Sequence, residues 1–238
     1  MTTANELRVM TSGAFTAAHL VLLPEIERLI GCRVVTVTTS VGTGDISIPN
    51  RLKRGEVADL VIVADDLLRR FVAEKLVLAE GLTPIAHSLI GMAVPAGAPK
   101  PDISTVDALK RTLLQARTIG HSASVSGDYL TQELVQRLGV ADQVLPKCRF
   151  IGGGERVGAV IARGDLDIGF QQISELLPVP GIAHITPLPR DVQKMSAFSA
   201  GVGANTTDRT AALAVIEFLA SSAAHEAIRQ SGLEPIAR

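Results

Sequence analysis

The sequence predicts an α/β protein of two lobes, each a mixed, mostly parallel sheet flanked by helices. Three observations carry that prediction. Short β-branched or apolar runs alternate with segments of helical period almost from end to end, the βαβα order that builds parallel sheets covered on both faces. Several of the strand candidates run straight into a small polar loop and then a helix. Two long apolar strand candidates, near 88–95 and 195–203, lie beside the proline breaks Pro95-Ala-Gly-Ala-Pro99-Lys-Pro101 and Pro187-Leu-Pro189. They suit crossover strands, along which the chain leaves lobe one, builds lobe two and returns. The expected lobes are residues 1–89 with 198–238, and residues 90–197, with a ligand cleft between them.

Each element has its own signal. Residues 7–10 are an apolar run, hence a strand; over 14–30, Phe15, Ala18, Leu22, Ile26 and Ile30 fall at steps of three and four and place one stripe on a helix. Residues 33–39 alternate and are β-branched, 48–55 read as a short helix, 60–63 as a buried strand and 67–74 as a helix. In the second half, Ser104-x-x-Asp107 has the form of a capping box for a helix to about 116. Strands follow at 117–120, 149–151, 167–171, 182–186 and 198–203, with helices at 127–138, 155–163, 208–220 and 223–230.

Composition removes several function classes. Of 238 residues, 47% are apolar and 20% charged, a globular balance. The 23 Lys and Arg against 24 Asp and Glu give a net charge of −1, so the basic footprint of a nucleic-acid binder is missing. Aromatics at 3%, with no Trp, leave no base-stacking platform. Two cysteines build no metal cluster or disulfide scaffold, and no pair among the five histidines has metal-ligand spacing. No apolar run reaches the roughly 18 residues of a membrane span. The expectation is a monomer that takes a small-molecule anion, with no metal, no cofactor, no nucleic acid and no membrane insertion. Residues 1–6 do not form a leader. The protein is therefore expected to be periplasmic if a leader was removed, and cytoplasmic otherwise.

Four small polar loops, each after a predicted strand, are the candidate site. They are Thr11-Ser12-Gly13-Ala14, Thr39-Ser40-Val41-Gly42-Thr43-Gly44, His121-Ser122-Ala123-Ser124-Val125-Ser126-Gly127 and Gly152-Gly153-Gly154-Glu155-Arg156. Ligands of open α/β sheets bind beyond the carboxyl ends of strands, where N–H groups, hydroxyls and helix N-termini suit an anion. The alternative is that each Ser or Thr simply caps its helix. Gly42-x-Gly44-x-x-Ser47 lacks the third glycine of a dinucleotide fingerprint. Arg156, after three glycines at a helix start, suits a bidentate carboxylate contact, or a solvated first turn. Gln171, Gln172 and Ser174 follow a strand and offer amide and hydroxyl contacts; Glu175 beside them reads equally as a surface residue. His121 is the histidine in a candidate loop, placed to act as acid or base, or to be a bland loop residue.

The opening Leu7-Arg-Val-Met-Thr-Ser-Gly-Ala-Phe, the segment Arg51-Leu-Lys-Arg-Gly-Glu-Val-Ala-Asp59-Leu-Val-Ile and Asp167-Ile-Gly-Phe resemble the periplasmic molybdate-binding proteins. That resemblance covers essentially the whole chain and implies the type II solute-binding fold: two α/β lobes, two crossover strands and a ligand in the cleft. Carried over residue by residue, the family's first-loop serine falls at Ala14, with Ser12 close by, and its second at the region of Ser40 and Thr43. Its backbone contacts before two lobe-two helices fall at Ser126-Gly127 and near Arg156, and its tyrosine is replaced by Gln172. A pocket that loses a serine and a tyrosine and gains Arg156 and Gln172 implies an organic carboxylate.

The stretch Gly169-Phe-Gln-Gln-Ile-Ser-Glu-Leu-Leu-Pro-Val-Pro-Gly181 resembles, more narrowly, bacterial relatives of this family that include aconitate isomerases. Such an enzyme moves an allylic proton between cis- and trans-aconitate without a cofactor. It would need Arg156 for charge and His121, Glu155 or Asp45 for the proton. Three functions stay open: capture of a di- or tricarboxylate, isomerisation of aconitate or a similar acid, and a molybdate or tungstate receptor. A receptor would hand its ligand to an ABC transporter permease.

Overall fold

The computed structural model describes residues 6–37, 44–152 and 154–237. The chain divides into two compact units, Met1–Ser88 with Ser196–Arg238, and Leu89–Met195. In unit one, β1 (Glu6–Thr11), α1 (Gly13–Ile30), β2 (Arg33–Val37), α2 (Ile48–Lys53), β3 (Leu60–Ala64) and α3 (Asp65–Ala73) follow the predicted order. β4 (Thr83–Pro95) then carries the chain from unit one into unit two. Unit two contains α4 (Val106–Gln115), β5 (Ile119–Ser122), α5 (Val125–Asp128), a π-helical stretch (Tyr129–Leu134), α6 (Val135–Arg137) and α7 (Ala141–Val144). It continues through β6 (Cys148–Ile151), α8 (Val157–Ala162), β7 (Ile168–Gln172), α9 (Ile173–Leu176) and β8 (Ile182–Pro187). The chain returns along β9 (Met195–Val202) and ends with α10 (Arg209–Leu219), α11 (His225–Gln230) and β10 (Leu233–Pro235).

In unit one, β1 pairs in parallel with β2 and β3, while β9 runs antiparallel to β3 and β10 antiparallel to the first half of β4. The pleat of β3 explains its complete burial. Leu60 and Ile62 face Phe15, Ala18, Leu22 and Ile26 of α1 together with α10 and α11, whereas Val61 and Val63 face Ile48, Leu52 and Phe71 of α2 and α3. The predicted stripe of α1 is thus the core face, and Gly31 ends the helix in the left-handed conformation (φ 68°).

His19 also sits on that face. It is fully buried, its Nε2 lies 2.8 Å from Thr36 Oγ1, and desolvation lowers its pKa to about 4.

In unit two, β5 pairs in parallel with β6 and β7, and β4 runs antiparallel to β7 and β8. Ile90, Met92, Ile119 and Phe170 meet α4 and the helical segment after β5 on one face. Ala93 and Ile151 lie with Val157, Val160 and Ile161 of α8 on the other. That segment after β5 was expected to be a plain helix over 127–138. Instead it widens into π geometry at Tyr129, which is buried; its hydroxyl donates to the Val192 carbonyl (2.6 Å) and accepts from Arg137 Nη1 (3.0 Å). The expected cap of α4 also needs correction. Thr105, not Ser104, caps the helix by accepting from Ala108 N–H (3.1 Å), because the Ser104 hydroxyl is engaged with Asp102 (2.7 Å). The turns α7 and α9 and the short β10 had no sequence signal. Among the described residues no single helix is long and apolar enough to cross a membrane.

A buried carboxylate joins the two ends of unit one. Asp59 Oδ2 accepts from Arg8 N–H (2.8 Å), and Oδ1 accepts from Thr206 Oγ1 (2.8 Å) and Thr207 N–H (2.7 Å). Burial alone would raise its pKa, but these donors outweigh it and hold the carboxyl below its ordinary value. In unit two, Asp167 accepts from Arg117 N–H (2.8 Å) and is held low first by the Arg117 side chain. Asp59→Ala strands at least two buried N–H donors and is expected to cost about 3–5 kcal/mol in urea unfolding.

Acid should act in two stages. The folded pKa of His19, about 4, lies below the unfolded value of about 6.5, so the unfolded chain binds the extra proton. About 3 kcal/mol of stability is therefore present above about pH 6.5 and lost as pH falls towards 4. His19→Gln should flatten that slope. The contributions of Asp59 and Asp167 are present above the unfolded carboxyl value, about 3.9, and are lost as pH falls through their lower folded values.

Candidate anion-binding site

In unit one the site is built where β1 ends. Ser12 donates its N–H to the Ile62 carbonyl (2.8 Å), which seats it beside β3 at the head of the 18-residue α1. It occupies the N-cap with extended backbone, yet its hydroxyl does not cap the helix. Ser12 is 4% exposed, and its Oγ is buried without a partner. The simple capping alternative therefore fails at this loop. Gly13 and Ala14 form the first turn and offer backbone N–H groups; Ala14 is buried.

Gly44 is exposed, and its carbonyl accepts from Ser47 N–H (2.9 Å) and Asn50 Nδ2 (3.2 Å), ordering the approach to α2. Asp45 is exposed, with its carbonyl accepting from Arg54. Ser40 and Thr43 lie outside the described residues. Just past β3, Asp65 accepts from Ser199 Oγ (2.6 Å) and Arg69 Nε (2.6 Å), a pair no sequence spacing pointed to.

Unit two has polar loops of its own. Ser122, Ser124 and Ser126 form a chain of hydroxyls with 3.0 Å between neighbours. Ser126 is fully buried, and Gly127 beside it has no room for a side chain: a Cβ there would sit 1.8 Å from the Ser122 carbonyl oxygen. The glycine thus lets the loop fold back on itself. His121 meets Phe150 edge-on (5.9 Å, 62°), with its Nδ1 buried and unpartnered. Desolvation lowers its pKa, against a hydrogen bond donated to the Ser122 carbonyl and the charge of Asp128.

Arg156 is exposed and occupies the N-cap of α8. Glu155, next to it, is also exposed and is taken up by Arg163 (2.8 Å), which directs its carboxylate to the surface.

Gln171 and Gln172, the last residues of β7, are buried at 5% and 2% exposure. The Gln171 Oε1 and the Ser174 Oγ are buried and have no partner. Glu175, on the α9 turn, was open to a surface assignment and is half-buried instead. Desolvation raises its pKa to about 7 against the charge of Arg156 and hydrogen bonds from the Gln171 side chain and Gln172 N–H. The one sequence signal was its place, three residues past a strand end, and nothing in spacing distinguished it from a surface glutamate.

In unit two, Glu175 thus lies with Gln171, Gln172 and the charge of Arg156, the serine chain adjoins His121, and Glu155 is drawn to Arg163. Hydroxyls, neutral amides and a guanidinium are each able to donate to an anion. Among the described residues no group of three or more His, Cys, Asp or Glu side chains could hold a metal ion. Gly127→Ala should break the fold-back of the loop and abolish anion-induced thermal stabilisation; a variant with wild-type ligand shifts would contradict that role.

The profile of the family described as bacterial extracellular solute-binding protein matches residues 7–234. An aconitate isomerase from Pseudomonas sp is 39% identical over 231 residues, covering 97% of this chain and 88% of that protein. Among solved structures, the periplasmic molybdate-binding protein of Azotobacter vinelandii superimposes with a TM-score of 0.76 at 16% identity, over 95% of this chain and 98% of that one. The tungstate-binding protein of Desulfovibrio alaskensis gives 0.68 at 17% identity, over 99% and 100%. At such identities the structural likeness establishes the periplasmic-binding-protein fold and leaves the ligand to the site.

Proposed function

Because the chain belongs to the bacterial extracellular solute-binding proteins, we propose that it binds a small tricarboxylate and isomerises it, cis- and trans-aconitate being the substrate pair. The observation that carries this is Arg156, an exposed guanidinium at the head of α8 that acts on the same carboxyl as the buried amides of β7. A tricarboxylate near neutral pH carries up to three negative charges and calls for a cation as well as neutral donors. The aconitate isomerase that shares 39% of its residues over nearly the full chain supports the same substrate class.

In this proposal the Ser12 hydroxyl and the N-terminus of α1 are donors for a ligand carboxylate. Capture of the same acid for delivery to an ABC transporter permease is the second reading, favoured by the family. Molybdate or tungstate as ligand is a third, favoured by the fold neighbours.

A thermal-shift panel of molybdate, tungstate, sulfate, citrate and the two aconitates separates them. Ligand at a hundred times its Kd adds about 2.7 kcal/mol, a shift of several degrees. Shifts with the tricarboxylates are expected; shifts confined to molybdate and tungstate would retire both carboxylate readings. Arg156→Ala should weaken aconitate binding by about 2–4 kcal/mol, roughly 30- to 1,000-fold. Unchanged affinity in that variant would remove Arg156 from the site.

A further inference from the structure

Four ionisable side chains could serve a proton transfer, and their surroundings differ. Glu155 is exposed and paired with Arg163 (2.8 Å), and Asp45 is exposed on the approach to α2. His121 packs against Phe150, with its Nδ1 buried. Glu175 shares its surroundings with the buried amides and the guanidinium assigned to the ligand. Its carboxyl is fixed by the Gln171 side chain and the Gln172 N–H, and it lies within the field of Arg156. On the same turn, the Ser174 hydroxyl and the Gln171 carbonyl oxygen are buried and unpartnered, a costly arrangement that a bound ligand would relieve.

We propose, on the basis of the isomerase reading, that Glu175 is the group that removes the allylic proton of the substrate and returns it. As a carboxylate, Glu175 takes a proton from the methylene carbon. The C–H electron pair becomes the new carbon–carbon double bond, and the pair of the old double bond moves to the far carbon of the allylic unit, beside its carboxylate. Neutral Glu175 then gives the proton to that far carbon. No oxidant, reductant or second substrate enters, and atoms and charge balance.

Arg156 makes the exchange responsive to substrate. In the free protein its positive charge favours the ionised form of Glu175. A substrate carboxylate that claims the guanidinium withdraws that support and leaves Glu175 the stronger base when the substrate is seated. The elements packed against α9 add little charge. β7 brings the two glutamines, and β8 brings His184, which is exposed. Desolvation holds the carboxyl near neutrality, with a pKa of about 7, where a group that must both accept and donate a proton works best.

The test follows cis-aconitate in D2O by proton NMR with the 238-residue chain, alongside the thermal-shift panel. Wild type is expected to convert it and to exchange its methylene hydrogen for deuterium. Its kcat/KM should rise with pH through a limb near neutrality, and its kcat through a limb at higher pH. Glu175→Gln should lower kcat and the exchange rate about 10²- to 10⁴-fold while KM moves less than tenfold. Glu175→Asp, which keeps the carboxyl, should retain part of the rate with the limb displaced.

A Glu175→Gln variant within tenfold of the wild-type kcat, with the limb intact, would overturn the assignment and leave the isomerase reading standing. Wild type that is stabilised by aconitate but neither converts it nor exchanges its C–H hydrogen would overturn both, in favour of capture. Loss of rate matched by an equal rise in KM would make Glu175 a binding group and overturn its proton role.

Discussion

The carboxylate of Asp59 is the contact on which unit one depends. It sits just before β3, fully buried, and collects donors from β1 and from the segment that opens α10. Those strands and that helix come from opposite ends of the chain, so one side chain fixes the edge of β1, the start of β3 and the arrival of the C-terminal helices. A charge can be held without solvent here because backbone N–H groups replace its hydration. Asp167 does a related job at the start of β7, where it takes the Arg117 N–H and guanidinium. Both aspartates act at the amino ends of their strands. The carboxyl ends, where ligands of such sheets bind, are left to loops built from small residues.

At those loops the economy is reversed. The Ser12 hydroxyl, the Gln171 carbonyl oxygen and the Ser174 hydroxyl are all buried without partners, and each such group costs about 1–3 kcal/mol. A chain that satisfies Asp59 so fully could have satisfied these as well. In the proposed function, their placement beside a helix N-terminus in one unit, and beside Glu175 in the other, makes them donors and acceptors held ready for a charged ligand. The stability given up there is what binding would return.

Most of the fold was legible because it is written in periods. The stripe Phe15, Ala18, Leu22 and Ile26 and the alternation across Leu60, Val61, Ile62 and Val63 state which faces are buried. What stayed hidden depends on a single hydrogen bond or on contacts distant in sequence. Thr105 outcompetes Ser104 as a cap only because Asp102 engages the latter. The widening at Tyr129 answers to the Val192 carbonyl, 63 residues on. The loops of the site were legible as positions: Ser12, Ser126 and Arg156 stand after strand ends, as their residue types suggested. The properties of Glu175 were not, because its charge state is set by burial and by a guanidinium on another helix.

The path of the chain carries a consequence for how the molecule comes into being. Unit two is one uninterrupted stretch, Leu89–Met195, whereas unit one is split and completed only by Ser196–Arg238. On a ribosome, where the N-terminal end emerges first, the early segment must wait with Leu7, Phe15 and Ile62 uncovered until Ala212, Val215 and Ile216 of α10 arrive to close over them. The inserted half can reach its native state before the half that precedes it. Over the last stretch of synthesis, Ser196–Arg238, the inserted unit is already complete while unit one is not, and the apolar faces left uncovered longest belong to the residues made first.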